Sequence, residues 1–254
     1  MQELTFETIL RLPQMELKKR LKAELKSRGY PVTDKPGYLY AEGTIPVLLV
    51  AHMDTVHRQP VEQVCYSADG AVAMSPQGIG GDDRCGVWII LQILRTANCH
   101  VLFCEDEEVG CVGAKKFTRG SLQPQVNYIV ELDRRGSNDA VFYRCDNPEF
   151  EDFITSFGFE TAGGSCSDIF SDVLADYAAA GSARHYYGYD FQLHVCVERV
   201  LHGLDFHDQR FYDPCWCRFV ADCQRNEIFR PVRCYVCRSY HCVPAYFPAV
   251  SFPV

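Results

Sequence analysis

The stretch "LLVAHMDTVH", residues 48–57, decides how the rest of the chain is read. Four apolar residues run without alternation into His52, Met53 and Asp54. An unbroken apolar run of this kind suits a strand covered on both faces, in the middle of a sheet rather than at its edge. Such a strand has no reason of its own to finish in an imidazole and a carboxylate. A second stretch, "GIGGDDRCGV" at 78–87, sets Asp82 beside Asp83 after a glycine-rich turn. Adjacent carboxylates repel unless something positive holds them.

Working outward, residues 14–27 place Met15, Leu17, Leu21 and Leu25 at helical spacing, with Gly29 as the stop signal. "YLYAEG" and "VLLVAH" read as strands, and "VCYSADGAVAM" as a hairpin turning at Asp69-Gly70. Residues 84–97 read as a helix packed through Val87, Ile90, Leu91 and Leu94. "HVLFCED" and "NYIVELD" are two more buried-type strands, with "EVGCVGAKKF" as a helix between them. This alternation predicts an α/β fold, a three-layer α/β/α sandwich with a mixed, mostly parallel central sheet. Residues 1–204 read as one domain. From about 205 the periodicity is lost and six of the fourteen cysteines gather, which reads as an irregular Cys-rich extension over 205–254.

Composition narrows the classes. The 254 residues are 47% hydrophobic and 23% charged, as expected of a chain that buries a core. A net charge of -8 with no basic run argues against a nucleic-acid partner. No apolar run is long enough to span a bilayer. The N-terminus is charged and amphipathic, unlike a secretory signal, so the expected compartment is the cytoplasm and the cysteines are expected as thiols.

The predicted sheet brings His52, Asp54, Asp82, Asp83, Glu107, Glu108 and Asp133 to one rim, outside the carboxyl ends of its strands. Taken singly, each has a plainer explanation. A histidine at a strand end is usually a satisfied polar residue, "EDEE" a solvated turn, and "GGDD" a turn. Together they form an acidic cluster that costs stability unless cations neutralise it. Imidazole mixed with carboxylate suits zinc, cobalt or manganese. Two such ions sharing a carboxylate sit roughly 3.5–4 Å apart and activate water between them. A further carboxylate outside the coordination sphere then takes the proton.

These pieces, "HMDTV" (52–56), "GGDDRCG" (80–86), "EDEEVG" (105–110) and "ELD" (131–133), resemble the M20 metallopeptidase family, most closely its tripeptidase-like branch. "GGSCSDI" (163–169) looks like a later segment of that family. The resemblance implies a cocatalytic pair of divalent metal ions, zinc first among them, cleaving a peptide or amide bond near a free terminus. It implies His52 and Asp133 as ligands of the first metal, Asp82 as the bridge, and Glu108 as a ligand of the second. It implies Asp54 as the carboxylate that orients His52, Glu107 as general base, and a cis peptide bond after Asp82. Asp83 matches a position of varied occupancy and receives no ligand role.

The chain departs from the family in two places. About thirty residues separate Asp133 from "GGSCSDI", too few for the family's lid domain. The last metal ligand, a histidine in the family, falls in "SARHYYGYDFQLHVCVERVL" (182–201), where Asp190 takes the expected position and His194 is the alternative, with His185 further off. His194 also suits the start of a helix ending near Leu201. Cys215, Cys217, Cys234 and Cys237 admit a zinc-ribbon reading, although a single residue between the first pair is unusual. A cysteine hydrolase built on Cys85 and His52 leaves the carboxylates without a purpose. The expected activity is therefore exopeptidase action on short peptides, with N-acyl amino acid deacylation as the near alternative. The alternative from another class is a metal-binding module without catalysis.

Overall fold

Strand β3 (Ile45–His52) lies inside an eight-stranded sheet, hydrogen-bonded on one side to β6 (Cys99–Cys104) and on the other to β7 (Tyr128–Glu131). The computed structural model describes residues 4–68, 72–122, 124–133, 139–142 and 148–163, together with the backbone of 191–195, 237–238 and 241–242. The sheet order is β1 (Val32–Lys35), β2 (Tyr38–Ala41), β6, β3, β7, β10 (Phe191–Val195), β8 (Asp139–Val141), β9 (Glu160–Thr161). β6, β3, β7 and β10 run parallel, while β1, β2 and β8 join antiparallel. The two shorter ladders are β4 (Cys65–Tyr66) with β5 (Ala73–Met74), and β11 (Cys237–Arg238) with β12 (His241–Cys242).

Two apolar clusters, one on each face of the sheet, make the three layers. Val47, Leu49 and Ala51 of β3 pack with α1 (Phe6–Arg11), α2 (Gln14–Ser27), α3 (Gly81–Ile93) and α5 (Pro148–Thr155). Leu48 and Val50 face the other way, toward Ala114 and Phe117 of α4 (Val112–Thr118). Period-2 alternation along a strand covered on both sides is what turned the apolar run into a central strand.

Helix α2 shows how local sequence sets its own ends. It closes with Gly29 at φ 86, which lets Tyr30 N–H reach Leu25 O at 3.1 Å and Gly29 N–H reach Lys26 O at 3.0 Å. That pair of bonds satisfies carbonyls the helix would otherwise leave open. Leu17, Leu21 and Leu25 are fully buried, but Met15 is 59% exposed. The buried stripe runs instead through Lys18, whose ammonium finds acidic partners described below. Helix α3 begins at Gly81 and ends at Ile93, earlier at both ends than 84–97, because Leu94–Ala97 wind down in tight turns before β6. His194 sits in a strand, not at a helix start, since β10 is paired on both sides, to β7 and to β8. The turn at Asp69-Gly70 lies outside the described residues, as do His185 and Asp190, Cys215, Cys217 and Cys234, and all of "GGSCSDI" but Gly163.

Leu21→Ala is expected to lower unfolding stability by about 2–5 kcal/mol through the cavity it leaves. Met15→Ala is expected to stay within about 0.5 kcal/mol. Urea denaturation of both variants checks which stripe of α2 is the core.

Candidate metal centre

Parallel β3, β6 and β7 deliver their carboxyl ends to one edge of the sheet, with His52 in register with Cys104 and Val50 with Glu131. His52 is fully buried there. Its Nε2 lies 3.1 Å from Asp82 Oδ1 and 3.6 Å from Asp133 Oδ2. On the other edge of the ring, Nδ1 is 3.3 Å from Asp54 Oδ1, an ion-pair distance without hydrogen-bond geometry. The imidazole therefore stands between carboxylates on both sides. Burial pulls its pKa down, but Asp133, Asp54 and Asp82 outweigh that and hold it well above the usual histidine value.

Asp54 has a second task that the sequence did not disclose. Its Oδ1 accepts the Glu107 N–H and its Oδ2 accepts the Glu108 N–H, each at 3.0 Å. One carboxylate thus faces the ring of His52 and grips the loop that follows β6. Burial raises the Asp54 pKa, yet the histidine and the two amides together keep it below the ordinary aspartate value.

Asp82 enters by a different route. Gly80 takes φ 63, and Asp82 and Asp83 keep non-helical backbone angles at the start of α3, joined by a cis peptide bond. The Asp82 carboxylate points out, with its side chain 71% exposed, while Asp83 points in. Asp83 accepts the His52 N–H at 3.2 Å and the Gly86 N–H at 3.0 Å, and a Cβ at Gly86 would collide with that same carboxylate. Asp83 thus ties the end of β3 to the start of α3. Burial, and then the charge of Asp133, push its pKa well up.

The remaining acids crowd the same space. Asp82 and Asp133 share a hydrogen bond; the His52 contact holds Asp82 below the usual carboxylate range, while burial pushes Asp133 up. Glu107 is half-buried and pushed up by burial, against the opposing pull of His52. The Cys111 thiol donates to Glu107 Oε1 at 3.6 Å. Glu108 is exposed, and burial of its carboxyl and then the Asp82 charge raise its pKa too. Glu131, fully buried on β7 beneath this rim, adds to the negative field at Asp83. The signal for Glu131 was an acid inside an apolar strand, "YIVEL"; for Cys111 it was only a cysteine flanking the rim, with nothing to announce its contact with Glu107.

Among the described residues, ligand atoms of His52, Asp82 and Glu108 all lie within 4.8 Å of one another. Asp133 approaches the same Nε2 of His52. One imidazole nitrogen with carboxylate oxygens is a donor set that zinc, cobalt and manganese accept. The shifted protons make the same point. Burial, and then the mutual repulsion of the acids, raises the pKa of Asp83, Asp133, Glu107 and Glu108, and a dication would relieve that repulsion. The residues fit a divalent metal. Of the two residues expected to complete the set, Asp190 lies outside the described residues. The backbone of His194 stands in register with Glu131, one strand beyond β7.

The family model for peptidase family M28 matches residues 40–185, more than half of the chain. The motif resemblance had pointed to M20. No curated protein matches. Among solved structures, a tripeptidase from Staphylococcus aureus is similar at 19% identity and TM-score 0.45, covering 54% of this chain and 45% of that one. An aminoacylhistidine dipeptidase from Vibrio alginolyticus is similar at 18% identity and TM-score 0.45, over 54% and 34% of the two chains. A putative zinc-dependent exopeptidase from Bacteroides vulgatus is similar at 17% identity and TM-score 0.46, over 88% and 90%. The chain spans less than half the length of the tripeptidase and the dipeptidase.

Because protons and metal compete for the same atoms, zinc binding is expected to tighten at least about tenfold between pH 6 and pH 8 and to release protons. Calorimetry in buffers of different ionisation enthalpy reads both effects. His52→Ala is expected to abolish them.

Proposed function

The chain belongs to peptidase family M28, and from that premise we propose that it hydrolyses the peptide or amide bond beside a free terminus of a short peptide. The observation that carries this reading is the convergence of His52, Asp82 and Glu108 with a half-buried, pKa-raised Glu107 next to them. In this reading His52, Asp82 and Asp133 would hold a first divalent ion, and Asp82 and Glu108, with either Asp190 or His194, would hold a second. Zinc is the first candidate, with cobalt and manganese as alternatives. The ions supply Lewis acidity toward a carbonyl oxygen and toward water.

The rest of the work falls to the protein. Asp54 fixes the ring of His52, so that Nε2 faces Asp82 and the metal position. Glu107 takes the proton of the attacking water and returns it to the leaving amine, and its raised pKa suits a group that must both accept and give. Cys111 holds one oxygen of that carboxylate, leaving the other for the proton. Deacylation of an N-acyl amino acid follows the same steps and differs only in what lies beyond the scissile carbonyl. The resemblance of the motifs to those of M20 peptidases supports the assignment of these roles.

No helix among the described residues is long and apolar enough to cross a membrane.

The test is metal content per chain together with hydrolysis of di- and tripeptides and of acyl amino acids. Glu107→Gln is expected to keep its metal and to lose kcat by about 10²–10⁴-fold. A metal-loaded wild-type chain that turns over none of these substrates would overturn the enzyme reading in favour of a binding module.

A further inference from the structure

We propose that helix α2 is a positioning element for the loop carrying Glu107 and Glu108, acting through Gln14 and Lys18; its consequence for catalysis rests on the peptidase reading above. Gln14 and Lys18 are four residues apart and so share one face of α2. Each holds one of the two residues that precede Glu107.

Gln14 grips Asp106 at two points. Its Nε2 donates to Asp106 Oδ1 at 3.0 Å, and its Oε1 accepts the Asp106 N–H at 3.4 Å. Asp106 has φ 60, a left-handed conformation uncommon outside glycine, which aspartate accepts more readily than most residues and which local bonds can impose. The amide of Gln14 is one such imposition.

Lys18 grips Glu105. Both are buried, and the Lys18 ammonium lies 2.6 Å from Glu105 Oε1 and 3.1 Å from Asp34 Oδ1, while donating to Lys35 O at 2.6 Å. The second oxygen of Glu105 accepts the Gly37 N–H at 2.8 Å. From the opposite side the loop closes onto α4, with Asp106 O accepting from Val112 and Glu105 O from Gly113.

The loop is thus fixed from α2 at 105 and 106 and from Asp54 at 107 and 108. The left-handed turn at Asp106 is the hinge between the two sets of bonds. With it in place the Glu107 and Glu108 amides meet Asp54 and their carboxyls turn toward His52. Without Gln14 the reason for that conformation weakens, and the two carboxylates lose their common aim. Neither Gln14 nor Lys18 belongs to the cluster of ligand atoms. Lys18 closes a buried ion pair and carries stability as well. Gln14 is only half-buried, and its variants separate positioning from folding.

The experiment compares the full chain with Gln14→Ala, and with Gln14→Glu, which sets a like charge against Asp106. Amide hydrogen exchange at Glu107 and Glu108 is the direct readout, with Val101 to Phe103 of β6 as the internal standard. Both variants are expected to exchange at least tenfold faster at the two glutamates with β6 unchanged. Cobalt is expected to bind about tenfold more weakly with an altered visible spectrum, and kcat to fall while KM stays within twofold. Exchange within twofold of wild type in both variants would overturn the proposal. A wild-type chain that binds no cobalt and cleaves no peptide would remove the peptidase reading alone, with exchange still deciding the clamp.

Discussion

A fully buried imidazole caught between carboxylates is the constraint from which the rest of the site follows. His52 closes the central strand with Asp54 on one edge of its ring and Asp82 and Asp133 on the other. Three acids around one buried histidine repel one another, and that repulsion has a cost. The chain meets the cost in two ways. It gives some of the charge to backbone amides, as at Asp54 and Asp83. It leaves the remainder as repulsion among the acids, which a dication would relieve. The strand topology makes this possible, because parallel neighbours bring their ends to one edge without a loop having to bury itself.

The same economy runs outward from the rim. Asp54 does more than face the ring of His52. By accepting two consecutive amides it converts the strand-end turn of β3 into a support for the loop of β6. Behind that loop, Glu105 and Asp106 are held from α2, so the candidate base stands at the meeting point of the central sheet and that helix. Misplacement by about 1 Å in such an arrangement is enough to cost a large part of the rate. Elements well away from the chemistry are therefore under the same geometric demand as the ligands.

Much of this was readable in the chain, because the signals were local. The apolar run ending at His52 gave a central strand, and Gly29 ended α2 where a left-handed residue was needed. What escaped reading was set by partners distant in sequence. Helical spacing alone could not tell whether Met15 or Lys18 faces the sheet; Glu105 and Asp34, which give the ammonium its partners, decide it. Nothing near Asp54 announces that its acceptors will meet amides more than fifty residues later. His194 suited the start of a helix by local pattern, and pairing with β7 and β8 overrode that preference. The acid of Glu131 was visible within its strand, but the weight of its charge at Asp83 depended on burial that a sequence does not print.

The most direct measurement is anomalous diffraction at the zinc edge from crystals of the zinc-loaded chain. An anomalous peak is expected within about 2.0–2.2 Å of both His52 Nε2 and an Asp82 carboxylate oxygen, the distances zinc keeps to nitrogen and oxygen ligands. A zinc-loaded crystal whose only anomalous peaks lie elsewhere, with His52 still wedged between its aspartates, would contradict it.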